Sequence, residues 1–536
     1  MRRRQTGHDP GRPPAQIQGG HQTMSVDFDV PESWPEEQPE SGPASRPEDT
    51  PEPTAAAGTG AAAPAAAATA GPAPAAAAAP VPIAPAPAAV APPLAAVPVA
   101  AAAAAPAWNL AQRLAFRFVF CYLLLYNLPF PLYLLDLLPI PGLGAAFMAY
   151  HKFWNAVVLW TGAHVLHLAH PIQDLRGKTG SGDTTFDWVK LLCFVAFAAL
   201  ATLLWTLATP RGKAREHRRL HEWLRIYVRY ALGTILLGYG TSKVIKTQFP
   251  FPSQDRLLEP FGQASPMGLL WTFMGVSTPY TVFAGAMEVL GGVLLFFRRT
   301  TTLGALVTIA VMTNVFMLNM CYDVPVKQFS LHLLLMAVFL LVPDLGRLAN
   351  VLVLHRPTEP ASLAPPWPAR WARIGGLALC VLYLGYVLFT EIQGSLEMQS
   401  QFGPGTMAKP PIYGAFEVEE LVRNGQTVPP LLTDTTRWRR LTSFYPQVLS
   451  VRLMDDTQQR FTSEYSPAKH RVALSPFDEK GAKGAFTYFS PDKDHLVLQG
   501  TLSKDTLTVK LRRLDPSRFL LVSRGFHWVS EYPYNH

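Results

Sequence analysis

The chain has 536 residues, a net charge of +8, and only 16% charged against 49% hydrophobic residues. Soluble domains carry about a quarter charged residues, so an ordinary soluble protein is excluded; the missing charge is concentrated in runs of about 20 apolar residues. Much of the excess positive charge lies in short loops beside those runs, where basic residues set membrane orientation, and this excludes nucleic acid as a partner.

Residues 1–107 are low-complexity: 24–54 are acidic and Pro-rich, and 55–107 are nearly all Ala and Pro. Frequent proline stops the alanine runs from joining into one helix, so a disordered tail is expected. No n-region, h-region and cleavage site appear in order, so no cleavable signal peptide is expected. Met24 opens a more ordinary start, MSVDFDVPESWPEE, and the first 23 residues read as a gene-start artefact.

Seven spanning helices are expected at 113–135, 186–208, 225–246, 279–297, 302–321, 328–349 and 371–392. The basic loop Arg211–Arg225 faces the cytoplasm by charge, as do Arg298-Arg299 and the Arg347–Arg373 connection, whose Pro-rich loop opens the segment 351–395. Residues 145–170 hold a short apolar run with His164 and His167. They read as an interfacial or re-entrant helix on the outer side, within an N-terminal membrane segment of 108–224. The N-terminus is then cytoplasmic and the C-terminus outside.

Residues 410–536 change to period-2 patterns: Gln447-VLSVRLM, Gly484-AFTYFS, His495-LVLQGTL, Thr506-LTVKLRRL and Arg518-FLLVSRG. Turn signals such as Ser503-Lys504-Asp505 separate them, so a small antiparallel β domain is expected outside the membrane. A short helix is expected near Thr433-DTTRWRRL, started by a Thr or Asp cap. The aromatic end Arg524-GFHWVSEYPYNH reads as an edge strand, or as a segment that docks on the membrane face or closes the barrel. Docking would carry His527 and Glu531 towards the outer face.

The polar residues inside the apolar runs carry the functional signal. Glu288 sits within Tyr280–Phe297, about 12–14 Å deep at a helical rise of 1.5 Å per residue. An ionised carboxylate there costs roughly 3 kcal/mol, so it needs a partner, a proton or a wet cavity. Lys243, Asn319, Asp323, Lys327 and His332 all fall in the same outer half, and Asn314 lies about two turns deep. The functional reading is an outward-open chamber in which Lys243 neutralises Glu288 and His332 exchanges protons. The structural reading is an ion-pair network that glues helices, with Lys243 snorkelling and Asp323 capping a turn before Pro325. Gly285, Ala286, Gly291 and Gly292 read as a close-packing surface.

Two further motifs compete. His164, His167 and His170 recur one turn apart as a weak metal-binding face, without a carboxylate pair beside them. Thr184 with Asp187, next to Asp183 and Thr185, reads as a helix N-cap. The four cysteines, Cys121, Cys193, Cys321 and Cys380, form no C-x-x-C pair and read as small buried side chains. No nucleotide loop, metalloprotease helix, nucleophile elbow or haem-attachment motif is present in the sequence.

Leu236-LGYGTSKVIKTQFP, followed by Ala284-GAMEVLGGVLLFFRRTTTLGA, resembles the DoxX-like family of bacterial membrane proteins. In that family a Gly-rich helix ending in Lys precedes one with Glu and Gly-Gly-x-Leu-Leu, which falls here on Lys243, Glu288, Gly291 and Gly292. The resemblance covers 225–350 and implies a four-helix core, an inner-membrane location and a link to quinone redox chemistry, with a quinone as cofactor. The added helices and β domain depart from the short family form, and the missing dithiol weakens a thiol-redox role. The expected fold is therefore an α-helical multipass membrane protein with a C-terminal antiparallel β domain. The expected partners are the lipid bilayer, a quinone or lipid ligand, and an envelope protein at the β domain. The alternative function is a non-enzymatic envelope transporter, lipid-binding or complex-assembly protein.

Overall fold

The computed structural model describes residues 108–132, 142–173, 179–209, 217–360, 369–403, 408–477 and 481–534. The expected disordered tail, the start at Met24 and part of the Arg211 loop and the Pro-rich loop lie outside these residues.

Helix α1 (Leu110–Asn127) opens on an Asn109–Gln112 capping box. It ends before Pro129 and Pro131, short of the expected 135, because proline cannot continue a helix. Helix α2 (Leu143–His164) packs Trp154 and Val158 against Phe186 and Phe194 of α3 (Thr185–Ala208). Thr184 and Asp187 form the capping box of α3 that their spacing predicts. Helices α4 (Arg218–Val244), α7 (Thr278–Phe296), α8 (Thr301–Cys321) and α9 (Lys327–Leu341) pack as antiparallel neighbours. Short helices α5 (Gln254–Leu257) and α6 (Pro266–Val276) lie between α4 and α7, and α10 (Leu345–Leu352) follows α9. Helix α11 (Arg370–Phe402) runs beside α4, with Tyr383 hydroxyl 2.9 Å from Thr234 Oγ1 and Gln399 Nε2 donating to Ile245 O at 3.1 Å.

Among the described residues, five segments are long and apolar enough to cross a membrane: Thr185–Ala208, Thr278–Phe296, Arg298–Cys321, Lys327–Leu352 and Arg370–Gln401. Their outer faces carry exposed Leu203, Leu204, Leu207, Leu377, Leu379 and Leu382, a distribution suited to a lipid solvent. Two of the seven expected spans, α1 and α4, are not among the five. Arg218, Arg219, Glu222, Arg225, Arg229 and Lys243 lower the apolarity of α4.

Backbone contact sets the α4–α7 geometry. A Cβ on Gly285 would stand 2.6 Å from Gly240 O, and one on Gly292 would stand 3.0 Å from Gly233 O. The two glycine pairs face each other across antiparallel helices, seven residues apart on each. Their missing side chains let the backbones approach more closely than larger residues would allow. At the other end of the pair, Arg229 donates to the last carbonyls of α7, Leu295 O at 2.9 Å and Phe296 O at 2.8 Å. Arg225 likewise reaches Leu340 O at 3.2 Å near the end of α9, and Arg117 reaches Thr206 and Thr209 at the end of α3. Arg229 and Arg225 thus satisfy helix-end carbonyls, while Arg117 bonds the Thr206 and Thr209 hydroxyls.

The C-terminal residues form a closed antiparallel barrel. Its strands are β1 (Gly414–Arg423), β2 (Gln426–Thr427), β3 (Trp438–Tyr445), β4 (Val448–Leu453), β5 (Gln458–Ser466), β6 (Arg471–Pro476), β7 (Gly484–Phe489), β8 (His495–Leu502) and β9 (Asp505–Arg513). Each strand from β3 to β9 pairs with the next, and β1 closes the barrel by pairing with both β3 and β9. Alternation builds the wall: Leu507, Val509 and Leu511 point inward from β9, and Thr508 and Lys510 do not. Phe416, Trp438, Phe461 and Phe486 help fill the interior, as expected for a barrel this narrow. The barrel is held to the α4–α7 connection: Asp255 accepts from Thr442 Oγ1 at 3.1 Å and Gln458 Nε2 at 2.8 Å, and Arg452 donates to Gln263 at 3.2 Å.

Two expectations in this domain are corrected. The Thr433 segment is not a helix: Asp434 accepts from the Thr436 hydroxyl and amide and from the Arg437 amide, closing a turn that leads into β3. Those bonds, the Thr436 hydroxyl first, hold the Asp434 carboxyl below the usual carboxylate range. Arg518-FLLVSRG is not a strand but a 3-10 turn (Pro516–Arg518) and a short helix, α12 (Leu520–Ser523). The chain end beyond it forms no edge strand, and β1 with β9 closes the barrel in its place. His527 and Glu531 are exposed there.

Gly285→Ala is expected to destabilise the helical bundle by about 1–3 kcal/mol through overpacking. Gly385→Ala on α11, with nothing within 4 Å of its Cβ position, should stay within about 0.5 kcal/mol of wild type. Denaturant titration in detergent reads both, and equal effects would remove the close-approach account.

Candidate functional site

Lys243 is the last residue but one of α4, and Glu288 lies ten residues into α7. Gly240 and Gly285 set the helices at the same level, so Glu288 starts deeper in the bundle than Lys243. Side chains on a helix lean towards its own N-terminus. In this antiparallel pair Lys243 therefore leans inward and Glu288 outward, and they meet with Nζ 2.8 Å from Oε2. The two side chains are only 8% and 3% exposed, so the charges neutralise each other away from solvent. Lys243 Nζ also lies 5.4 Å from the Tyr239 ring centroid and 6.0 Å from that of Phe249, placing aromatic faces around the cation.

The other expected site residues do not join this pair. Asn319 donates to Ser330 Oγ at 3.0 Å and ties the end of α8 to the start of α9. Asp323 and Lys327 pair at 2.7 Å, with Asp323 83% exposed and in a left-handed turn (φ 51°), so it serves the turn between helices. Asp183 clamps the N-terminus of α9, accepting from Lys327 N at 2.6 Å and Gln328 N at 3.1 Å. Asn314 points out of the bundle. The weak candidate metal face of His164, His167 and His170 is not continued as one helical face: α2 ends at His164, and His167 enters a turn at φ 48°.

His332 turns towards α1. Its Nδ1 lies 2.5 Å from Gln328 O and its Nε2 lies 2.5 Å from the Tyr122 hydroxyl. A carbonyl only accepts, so Nδ1 is assigned the proton and Nε2 accepts from Tyr122. The ring stacks on Tyr126 with centroids 4.1 Å apart and planes 9° apart. Tyr122 and Tyr126, one turn apart on α1, were missed by sequence reasoning because their partner lies 210 residues away from Tyr122. Their spacing on one helical face was the available signal.

Each group has an aromatic neighbour: the Tyr239 ring, one turn before Lys243 on α4, lies beside the ammonium, and the Tyr126 ring lies on His332. The Thr308 hydroxyl on α8, 1% exposed and without a hydrogen-bond partner, would stand 2.8 Å from a Cβ on Gly291. A further acidic residue, Glu391 on α11, rests its carboxylate 3.1 Å from the Cβ position of Gly238. It was missed because it sat at the expected end of a span that in fact continues to Phe402.

The arrangement holds a charge pair away from water and, separately, a tyrosine hydroxyl hydrogen-bonded to a histidine, a contact through which a proton can move. Fold and site together define a class: a helical protein suited to a membrane, with a barrel docked at the end that carries its buried charge pair. Over 108 residues, 20% of this chain and 67% of the other, the chain is 34% identical to the protein named "Uncharacterized protein YwoB" of Bacillus subtilis (strain 168). The chain belongs to the same family as YwoB through that segment. No family model and no solved structure matches the chain.

Glu288→Gln, which leaves a buried ammonium without its counter-charge, is expected to cost about 3–5 kcal/mol. The apolar pair Lys243→Met with Glu288→Leu should recover most of that loss. Denaturant titration of wild type, Lys243→Met, Glu288→Leu and the double variant reads the coupling, and additive losses would show that the two groups act independently.

Proposed function

We propose that this is a DoxX-like inner-membrane protein whose buried polar residues bind a quinone headgroup and exchange protons with it. The observation that carries the reading is the desolvated Lys243–Glu288 pair with the Tyr239 ring beside its ammonium, in a bundle that also holds the Tyr122–His332 hydrogen bond. Quinone carbonyls accept hydrogen bonds, which the Lys243 ammonium and the tyrosine hydroxyls supply. Reduction of a quinone takes up two electrons and two protons. Glu288 and His332 are the groups of this chain suited to exchange those protons, and the electrons come from a separate redox partner. The resemblance of the α4 and α7 segments to DoxX-like sequences supports the quinone over other ligands.

In this reading α1 and α4 also cross the bilayer, giving seven spans, α2 lies at the interface, and the barrel stands outside the cytoplasm. The basic segments near Arg218, Arg298 and Arg347 support that orientation. The second reading, an envelope transporter, lipid-binding or complex-assembly protein, draws on the barrel held against the α4–α7 connection. Its interior is filled by side chains, so in that reading a partner meets its outer wall.

Protein purified in lipid nanodiscs is expected to retain a quinone on solvent extraction. It should also rebind a soluble quinone analogue, with Tyr239→Phe and Glu288→Gln each weakening binding about tenfold, equivalent to about 1.4 kcal/mol. Protein without extractable quinone and without analogue binding would reject the redox reading. A periplasmic reporter fused after Tyr534 should be active and one fused at Arg299 inactive; the reverse pattern overturns the orientation.

A further inference from the structure

Helix α8 carries a side-chain amide that the bundle does not use. Asn314 lies thirteen residues after Thr301 and seven before Cys321, about 10 Å from the nearer helix end at 1.5 Å per residue. The bundle-facing side of the helix is formed by Gly304, Thr308, Met312 and Asn319, all buried. Asn314 is exposed on the opposite side, among Ala310, Thr313 and Met317, and has no hydrogen-bond partner among the described residues.

Resting on the membrane reading, that position puts a primary amide in hydrocarbon, where acyl chains offer neither donor nor acceptor. We propose that α8 pairs with α8 of a second copy of this chain, the two Asn314 amides bonding to each other. An amide carries two N–H donors and a carbonyl acceptor, so across a two-fold axis each copy supplies what the other lacks. A different partner would need its own polar residue at matching depth; a second copy provides one by symmetry. Ala310 and Thr313 are small enough to let the two helices approach, as amide-bonded membrane helices require. Exposed Met317 and Met320 flank the contact with flexible apolar side chains that adapt to a like surface.

Cys321 offers a native reporter. It is exposed and lies two turns from Asn314 on the same side of α8, whereas Cys193 and Cys380 are buried. The full chain is reconstituted in liposomes at high lipid excess and treated with copper phenanthroline, which joins two thiols as a disulfide. A covalent dimer is expected on a non-reducing gel. It should vanish in Cys321→Ser, fall about three- to thirtyfold in Asn314→Leu and return in part in Asn314→Gln. Leucine suits a lipid-facing site, and unchanged thermal unfolding of Asn314→Leu separates lost pairing from lost folding. Absence of a wild-type dimer, or a dimer that persists in Asn314→Leu, overturns the proposal. Either result leaves quinone binding untouched, while reporter fusions that invert or abolish the spans would remove the membrane reading beneath both.

Discussion

The approach of Gly240 to Gly285 and of Gly233 to Gly292 governs the arrangement of the helical bundle. Without Cβ atoms the α4 and α7 backbones lie close enough for Lys243 and Glu288 to meet directly. At a wider spacing each charge would stay desolvated without its counter-charge, and neutralisation by proton transfer would be favoured over an ion pair. The same two helices are braced at their other end, where Arg229 takes the carbonyls of Leu295 and Phe296. Charged side chains therefore fasten α4 to α7 at both ends, and glycine packs the length between them.

The barrel is continuous with this pair in two ways. Its strands hold Asp255 and Gln263 in the connection between α4 and α7, and α11, which leads into β1, places Gln399 on the carbonyl that ends α4. Both contacts lie next to the Lys243 end of α4. The barrel thus acts as a rigid lid frame for that end, and its filled interior suits support better than carriage of a ligand.

The helices were legible where apolar runs met clear end signals. α3, α7 and α8 each begin within one residue of expectation, because a capping box, a first-turn proline and an arginine turn respectively mark the start. α11 was underestimated because its last turns are polar while no proline or left-handed residue interrupts them. In the barrel, β4, β7, β8 and β9 showed clean alternation. β1 escaped notice because the bulge between Val418 and Glu420 breaks its period, and β3 because Arg437-Trp438-Arg439-Arg440 imitates a helical start. The Lys243–Glu288 pair was readable from two charges in adjacent apolar segments. The turn of His332 towards Tyr122 was not, since it depends on how α1 packs against α9 and no local spacing encodes it.

The separation of 45 residues between Lys243 and Glu288 bears on biogenesis. Helices α4 and α7 are joined by a connection whose own helices are short, so in the proposed reading in which α4 also spans they can enter a bilayer together as a hairpin. Each charge then crosses the translocon with its counterion already within reach, and the lipid receives a neutral pair in place of two ions. The glycines that permit the contact need no later segment of the chain, so this hairpin can reach its final packing while the barrel is still being synthesised.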